Sequence, residues 1–163
     1  MERIVKEYKK IEIARSMLDT AIEIYLDEGD RFSVLHLASA AEEVIAGLLK
    51  RRRSGSSTVY PQDRTAREKT MDAIVEILKA RGIDRTEKEV GTFLNAVRNG
   101  TKHHGGNDSE IVIADAESEA WDALFRAIDN YGRYANTLSE MMIEFAHRTV
   151  GTPLISVPCG KAT

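Results

Sequence analysis

Apolar side chains recur at helical spacing along almost the whole chain, and this limits it to helices packed side by side. In the first segment Ile4, Ile11, Leu18 and Tyr25 fall every seventh residue, and Tyr8, Ala14, Ala21 and Ile22 widen the stripe. That spacing predicts an amphipathic helix of about seven turns. Gly29 is expected to end it and Asp30 to cap the next.

From Arg31 to about Arg52 the pattern changes. Val34, Leu37, Ala38, Ala41, Val44, Ile45 and Leu48 form one face, and Leu35, Ala46 and Leu49 part of another. A helix apolar on several sides belongs in the middle of its bundle. The small residues Ala38, Ser39, Ala40, Ala41 and Gly47 suit close packing, while Glu42 and Glu43 stand out as acids in an apolar setting. A Ser/Gly loop over 54–61 follows. A third helix is expected from about Thr65 to Ala80, with Met71, Ile74, Ile77 and Leu78 inward and Gly82 as its stop.

Thr86 and Glu89 read as a capping box for a fourth helix, striped by Val90, Phe93, Leu94 and Val97 and running out at Asn99-Gly100. After a polar loop over 101–109, Ile111 to Ile113 reads as a short extended piece, and Asp115 as the cap of a last helix. That helix carries two heptad series, Trp121, Ile128, Ala135, Met142 and Leu124, Tyr131, Leu138, Phe145, and is expected to run to Arg148. The fold class expected is all-α: an up-and-down bundle of about five helices with antiparallel neighbours. It forms one domain over 1–148, followed by an extended C-terminal tail over 149–163.

Length and charge bound the function. At 163 residues the chain is one domain's worth and needs no staples to bury a core. The single cysteine, Cys159, makes no internal disulfide. No stretch reaches about 18 apolar residues, and the charged N-terminus is unlike a signal peptide. A cytoplasmic protein without a membrane partner is therefore expected. Net charge is −3, yet residues 50–85 hold ten basic and five acidic side chains, so a basic region lies in mid-chain.

No phosphate-binding glycine loop, zinc-protease helix or serine elbow is present. The candidate chemistry is Arg98-Asn99-Gly100-Thr101-Lys102-His103-His104. On an ideal helix Gly91, Asn95, Arg98 and Lys102 flank the apolar stripe. Arg98 then sits at the seam with a neighbouring helix, and Gly91 lets another backbone approach. A bend at Gly100 would return His103 over Arg98. Arg supplies a planar fork that suits phosphate and keeps its charge. His moves protons near neutral pH. With Lys102 they suit metal-free RNA cleavage, in which the ribose 2′-OH is deprotonated, the phosphorane stabilised and the leaving 5′-oxygen protonated. Asn99 would position the ribose or the imidazole, and His104 would substitute for His103 or stay exposed. Cations in a last helical turn are also favoured by the helix dipole without any function.

Arg98-Asn99, two residues, then Lys102-His103, near the end of the penultimate long helix of an all-α chain, resembles the signature of the HEPN superfamily (higher eukaryote and prokaryote nucleotide-binding domains). The run over 40–50 in the second helix also looks like its small stand-alone members. The resemblance covers about Ile4 to Phe145. It implies a metal-independent endoribonuclease with no cofactor, often a toxin or phage-defence component, in which Arg98 and His103 carry catalysis. It further implies a homodimer with both motifs in one cleft, RNA or nucleotide as ligand, and a nucleotidyltransferase-like antitoxin as partner. Some members of that superfamily are non-catalytic nucleotide- or protein-binding modules.

Supporting roles follow from position. Glu42 and Glu43 read either as holders of Arg98 across the seam, since an unpaired carboxylate in so apolar a helix is costly, or as one locally paired and one solvated acid. Lys50-Arg51-Arg52-Arg53 reads either as a track for RNA phosphates or as a solvated helix terminus. His103, His104, Asp108 and Glu110 show no metal-ligand spacing, so no metal site is expected.

Overall fold

The computed structural model describes residues 5–55, 64–102 and 111–150. Their regular structure is entirely helical, with no strand among them: α1 Lys10–Leu26, α2 Arg31–Ser54, α3 Ala66–Ala80, α4 Glu87–Leu94, α5 Ala96–Lys102, α6 Ala116–Ala135 and α7 Glu140–Val150. The all-α class is as expected. The seven described helices exceed the expected count because two predicted helices are each broken in two.

Polar side chains set the boundaries. The Asp30 carboxylate accepts the Ser33 N–H at 2.7 Å and opens α2. Thr65 and Glu68 form a reciprocal box at the start of α3. Asp115 accepts the Ser118 N–H at 3.1 Å at the start of α6. Each satisfies N–H groups that a first helical turn leaves without backbone partners. At the end of α1 the left-handed residue is Glu28, at φ 56°, and not Gly29. Gly29 is needed for space instead, because a Cβ there would lie 2.8 Å from the Ile24 side chain.

Three contacts fix the direction of α6 against α2. Arg31 pairs with Glu117, Glu42 with Arg126, and Arg52 donates to the Tyr134 carbonyl. Residue numbers rise together along both helices, so α2 and α6 are parallel. The pairs Asp19–Ser139 and Tyr25–Phe145 make α1 and α7 parallel in the same way. The core is thus two helical hairpins, α1–α2 and α6–α7, joined by a crossover through α3, α4 and α5. This corrects the expected up-and-down order at one place. A parallel pair needs a long connection, and the middle of the chain supplies it.

The core is built from Ala14, Leu18, Ala21 and Ile22 of α1, Val34, Leu35, Ala38, Ala41, Ile45 and Leu49 of α2, and Ala120, Ala123, Leu124 and Ala127 of α6, closed by Met142 and Phe145 of α7. Alanines on all three long helices bring their axes close. By length and composition α2 alone among the described helices is apolar enough to cross a membrane, although Glu42 and Glu43 interrupt its apolar run. Its apolar sides face α1 and α6. Gly47 was expected at a close contact, but it is exposed with nothing near it.

Several apolar stripes were assigned too much core. α1 starts at Lys10, with Tyr8 exposed ahead of it, and Ile4 lies outside the described residues. In α3 only Ala66 is fully buried and Ile77 is exposed. This helix packs on the outside, tied down where its Ala66 N–H donates to the buried Asn130 side chain at 2.7 Å. Phe93 of α4 is exposed as well.

The heptads of the last predicted helix continue through a turn. α6 stops at Asn136, a left-handed residue at φ 56° whose N–H returns to the Gly132 carbonyl. Ser139 then opens α7, which extends to Val150 and so includes two residues expected in the tail. Residues 151–163 lie outside the described part.

Candidate functional site

The Thr86–Glu89 box starts α4 as expected: Thr86 Oγ1 accepts the Glu89 N–H at 3.3 Å, and Glu89 Oε2 accepts the Thr86 N–H at 2.8 Å. The Thr86 N–H, followed by the Thr86 hydroxyl and Arg85, donates to the Glu89 carboxyl and holds it below its ordinary range. The bend expected at Gly100 falls five residues earlier. Asn95 leaves helical geometry at φ −111°, ψ 4°, and its side-chain Nδ2 donates to the Gly91 carbonyl at 2.6 Å. Asn and Asp side chains compete with helix bonds in this way. The helix restarts at Ala96 and runs through Gly100 to Lys102, its first bond joining the Asn99 N–H to the Asn95 carbonyl at 2.8 Å.

This break redistributes the motif. Gly91, Asn95 and Asn99 share one groove, against α3. Arg98 turns the other way, toward α2, where its guanidinium pairs with the Glu43 carboxylate. The flank expected to carry Gly91, Asn95, Arg98 and Lys102 together is therefore not a single surface. Adjacent Arg98 and Asn99 serve two sides of α5. The side chain of Lys102, and His103 and His104 entirely, lie outside the described residues, so the separation of Arg98 and His103 belongs to that part of the chain.

Arg98 is largely enclosed. Its side chain is 17% exposed, that of Glu43 is 55% exposed, and the Arg98 Nε is buried without a hydrogen-bond partner among the described residues. A guanidinium has five N–H donors in a fixed fork. The exposed Glu43 occupies the solvent side of that fork.

Of the two acids considered as holders of Arg98, Glu43 makes the contact and Glu42 does not. Glu42 lies about one helical step round α2, is 8% exposed, and accepts from Arg126 Nε at 3.3 Å. Arg126 was not singled out from the sequence, where it appears only as a cation in an acidic helix. Glu119, two turns before it, has its carboxyl raised by burial, which the Arg126 charge opposes.

The basic run at the end of α2 divides. Arg52 lies over the Tyr134 ring at 4.3 Å and donates to the Tyr134 carbonyl at 2.7 Å. Arg53 makes two bonds of 3.2 Å to Glu68. Burial raises the Glu68 carboxyl, but the Thr65 N–H and Arg53 outweigh it and leave it lowered. Only Lys50 and Arg51 remain exposed without these internal duties.

The groove against α3 holds about 420 Å³. Its walls include Arg67 and Lys88, neither of which forms an ion pair among the described residues. The sequence offered no signal for Arg67 beyond its place in a basic region, because its nearness to Asn99 is set by the packing of α3 on α4. Among the described residues no group of three or more metal-ligating side chains comes together.

No protein-family model, curated protein or solved structure matches this chain.

Proposed function

We propose that this chain is a metal-independent endoribonuclease of the HEPN type, a toxin or phage-defence component acting as a homodimer. The observation that carries the reading is Arg98: an enclosed guanidinium at a helix seam, its Nε without a partner among the described residues, its position set by Glu43, four residues ahead of Lys102-His103. Fixed cations aimed where charge develops give more stabilisation than mobile surface ones.

In this mechanism His103 takes the proton of the ribose 2′-OH, and the 2′-oxygen attacks the adjacent phosphorus. Arg98 and Lys102 neutralise the phosphorane. The bond to the 5′-oxygen breaks, and the imidazolium returns its proton to that leaving oxygen. The products are a 2′,3′-cyclic phosphate and a 5′-hydroxyl. A phosphate reaching Arg98 competes with Glu43, which is exposed enough to swing aside. Arg98 and His103 from two copies would share one cleft, and a nucleotidyltransferase-like protein is the antitoxin this reading anticipates.

A second reading has its own support. The Glu43 pair already neutralises Arg98, which suits a non-catalytic module that binds a nucleotide or a protein through the same surface. RNA incubated in EDTA with wild type, Arg98→Ala and His103→Ala separates the two. Cleavage lost in both variants is the expected result. Identical traces from all three proteins remove the nuclease and leave the module.

A further inference from the structure

We propose that the groove between α3 and α4 is a subsite for one nucleotide of single-stranded RNA, with Arg67 and Lys88 meeting its phosphate and Asn99 its base edge. This rests on the RNA-cleaving reading above and extends it across α5. The groove is about 420 Å³, within the range that holds small ligands.

Gly91 lies at the floor of the groove. The ends of two α3 side chains lie over it, since a Cβ there would be 3.3 Å from Met71 Cε and 3.5 Å from Arg67 Nη2, and this places the Arg67 fork in the wall. Asn95 and Asn99, four and eight residues further on, fall on the same side by helical spacing. Asn95 spends its Nδ2 on the Gly91 carbonyl, and its Oδ1 accepts nothing among the described residues.

The charges select the ligand class. Arg67 and Lys88 are the cations that line the groove, and neither is paired with a carboxylate among the described residues, so both charges are available to a ligand. Two cations in one groove suit a phosphate. Glu87 at the rim opposes a bare polyanion but accepts hydrogen bonds from base amines. The Asn99 amide both donates and accepts, as a base edge requires. Such an edge is free only in an unpaired strand. Because Asn99 directly follows Arg98, a strand with its scissile phosphate at the seam continues over α5 into this groove.

The test uses fluorescently labelled 2′-O-methyl RNA, which lacks the attacking hydroxyl and so binds without being cut. Anisotropy titrations compare wild type, the Arg67→Ala/Lys88→Ala double variant, and Lys79→Ala as a control on the far end of α3. Thermal melts verify that each protein is folded. The expected result is at least about tenfold weaker binding for the double variant alone. Its slope of log affinity against log salt should also be shallower by about 0.7, the value for one single-strand phosphate. Equal binding by wild type and double variant overturns the subsite, and if wild type still cleaves unmodified RNA the nuclease reading survives. Binding that needs Arg67 and Lys88, with no cleavage of unmodified RNA, upholds the subsite and removes the nuclease. No binding by wild type overturns the subsite.

Discussion

Arg98 of α5 is enclosed at 17% exposure while its partner, Glu43 of α2, is 55% exposed. The pair is therefore asymmetric in what each loss leaves behind. Glu43→Ala strands a mostly buried cation whose Nε has no partner among the described residues, and is expected to cost about 1–3 kcal/mol. Arg98→Met fills the seam with an apolar side chain and releases Glu43 to water, at a cost below about 1 kcal/mol. Urea denaturation of the two variants measures the difference. Equal losses, or a larger loss for Arg98→Met, would show that the seam is more hydrated than its geometry indicates.

Glu42 and Arg126 invert that balance. Here the acid is the more enclosed partner, 8% exposed against 21%. Arg126→Ala leaves an uncompensated carboxylate between α2 and α6, and is expected to destabilise by about 3–5 kcal/mol. The double change Glu42→Leu with Arg126→Met removes both charges and should recover most of the loss. A double variant no better than Arg126→Ala would assign the cost to lost packing by the arginine stem.

These two pairs show what could be read beforehand. That an acid enclosed in so apolar a helix is costly unless it meets a cation was legible from composition along α2, and Glu42 is that acid. Which cation each finds depends on the rotation of α2 relative to α5 and α6, and periodicity does not report it. Helix starts were legible because Asp30, Thr86 and Asp115 act within three residues of themselves. The breaks at Asn95 and Asn136 were overlooked because apolar residues continue in register on both sides. Asn136 followed by Ser139 is a local stop-and-start signal, and the heptads masked it. The divergence of Asn99 from Arg98 is ordinary helical geometry, since adjacent residues project about 100° apart, and the spacing of Gly91, Asn95 and Asn99 already put it in the sequence.

Acid sensitivity should follow Glu68. Its carboxyl is lowered from the ordinary 4.5: burial raises it, but the Thr65 N–H and Arg53 prevail. A group lowered on folding contributes its stability above the unfolded value and loses it as pH falls through the folded one. Wild type should therefore lose melting temperature below pH 4.5, in part through this residue. Glu68→Gln cannot titrate. It should melt lower than wild type at neutral pH and converge with it in acid. Parallel curves across the whole pH range would exclude Glu68 from the transition.

Ser139 carries the reversal of direction between α6 and α7. Its hydroxyl donates to Asp19 at 2.6 Å and accepts the Met142 N–H at 3.3 Å, and the residue is 7% exposed. It thus caps α7 and fastens it to α1 with one group. Ser139→Ala removes both bonds and is expected to cost about 1–2 kcal/mol. Ser139→Thr keeps a hydroxyl on the same carbon and should restore most of it. Ser139→Asp keeps the cap acceptor but cannot donate, and sets a second carboxylate beside Asp19, so it should not rescue. Urea midpoints rank the three. Hydrogen exchange locates the effect: Ser139→Ala should speed exchange in the first turn of α7 and leave α2 protected. If Asp rescues as well as Thr, the cap alone matters and the link to α1 contributes nothing.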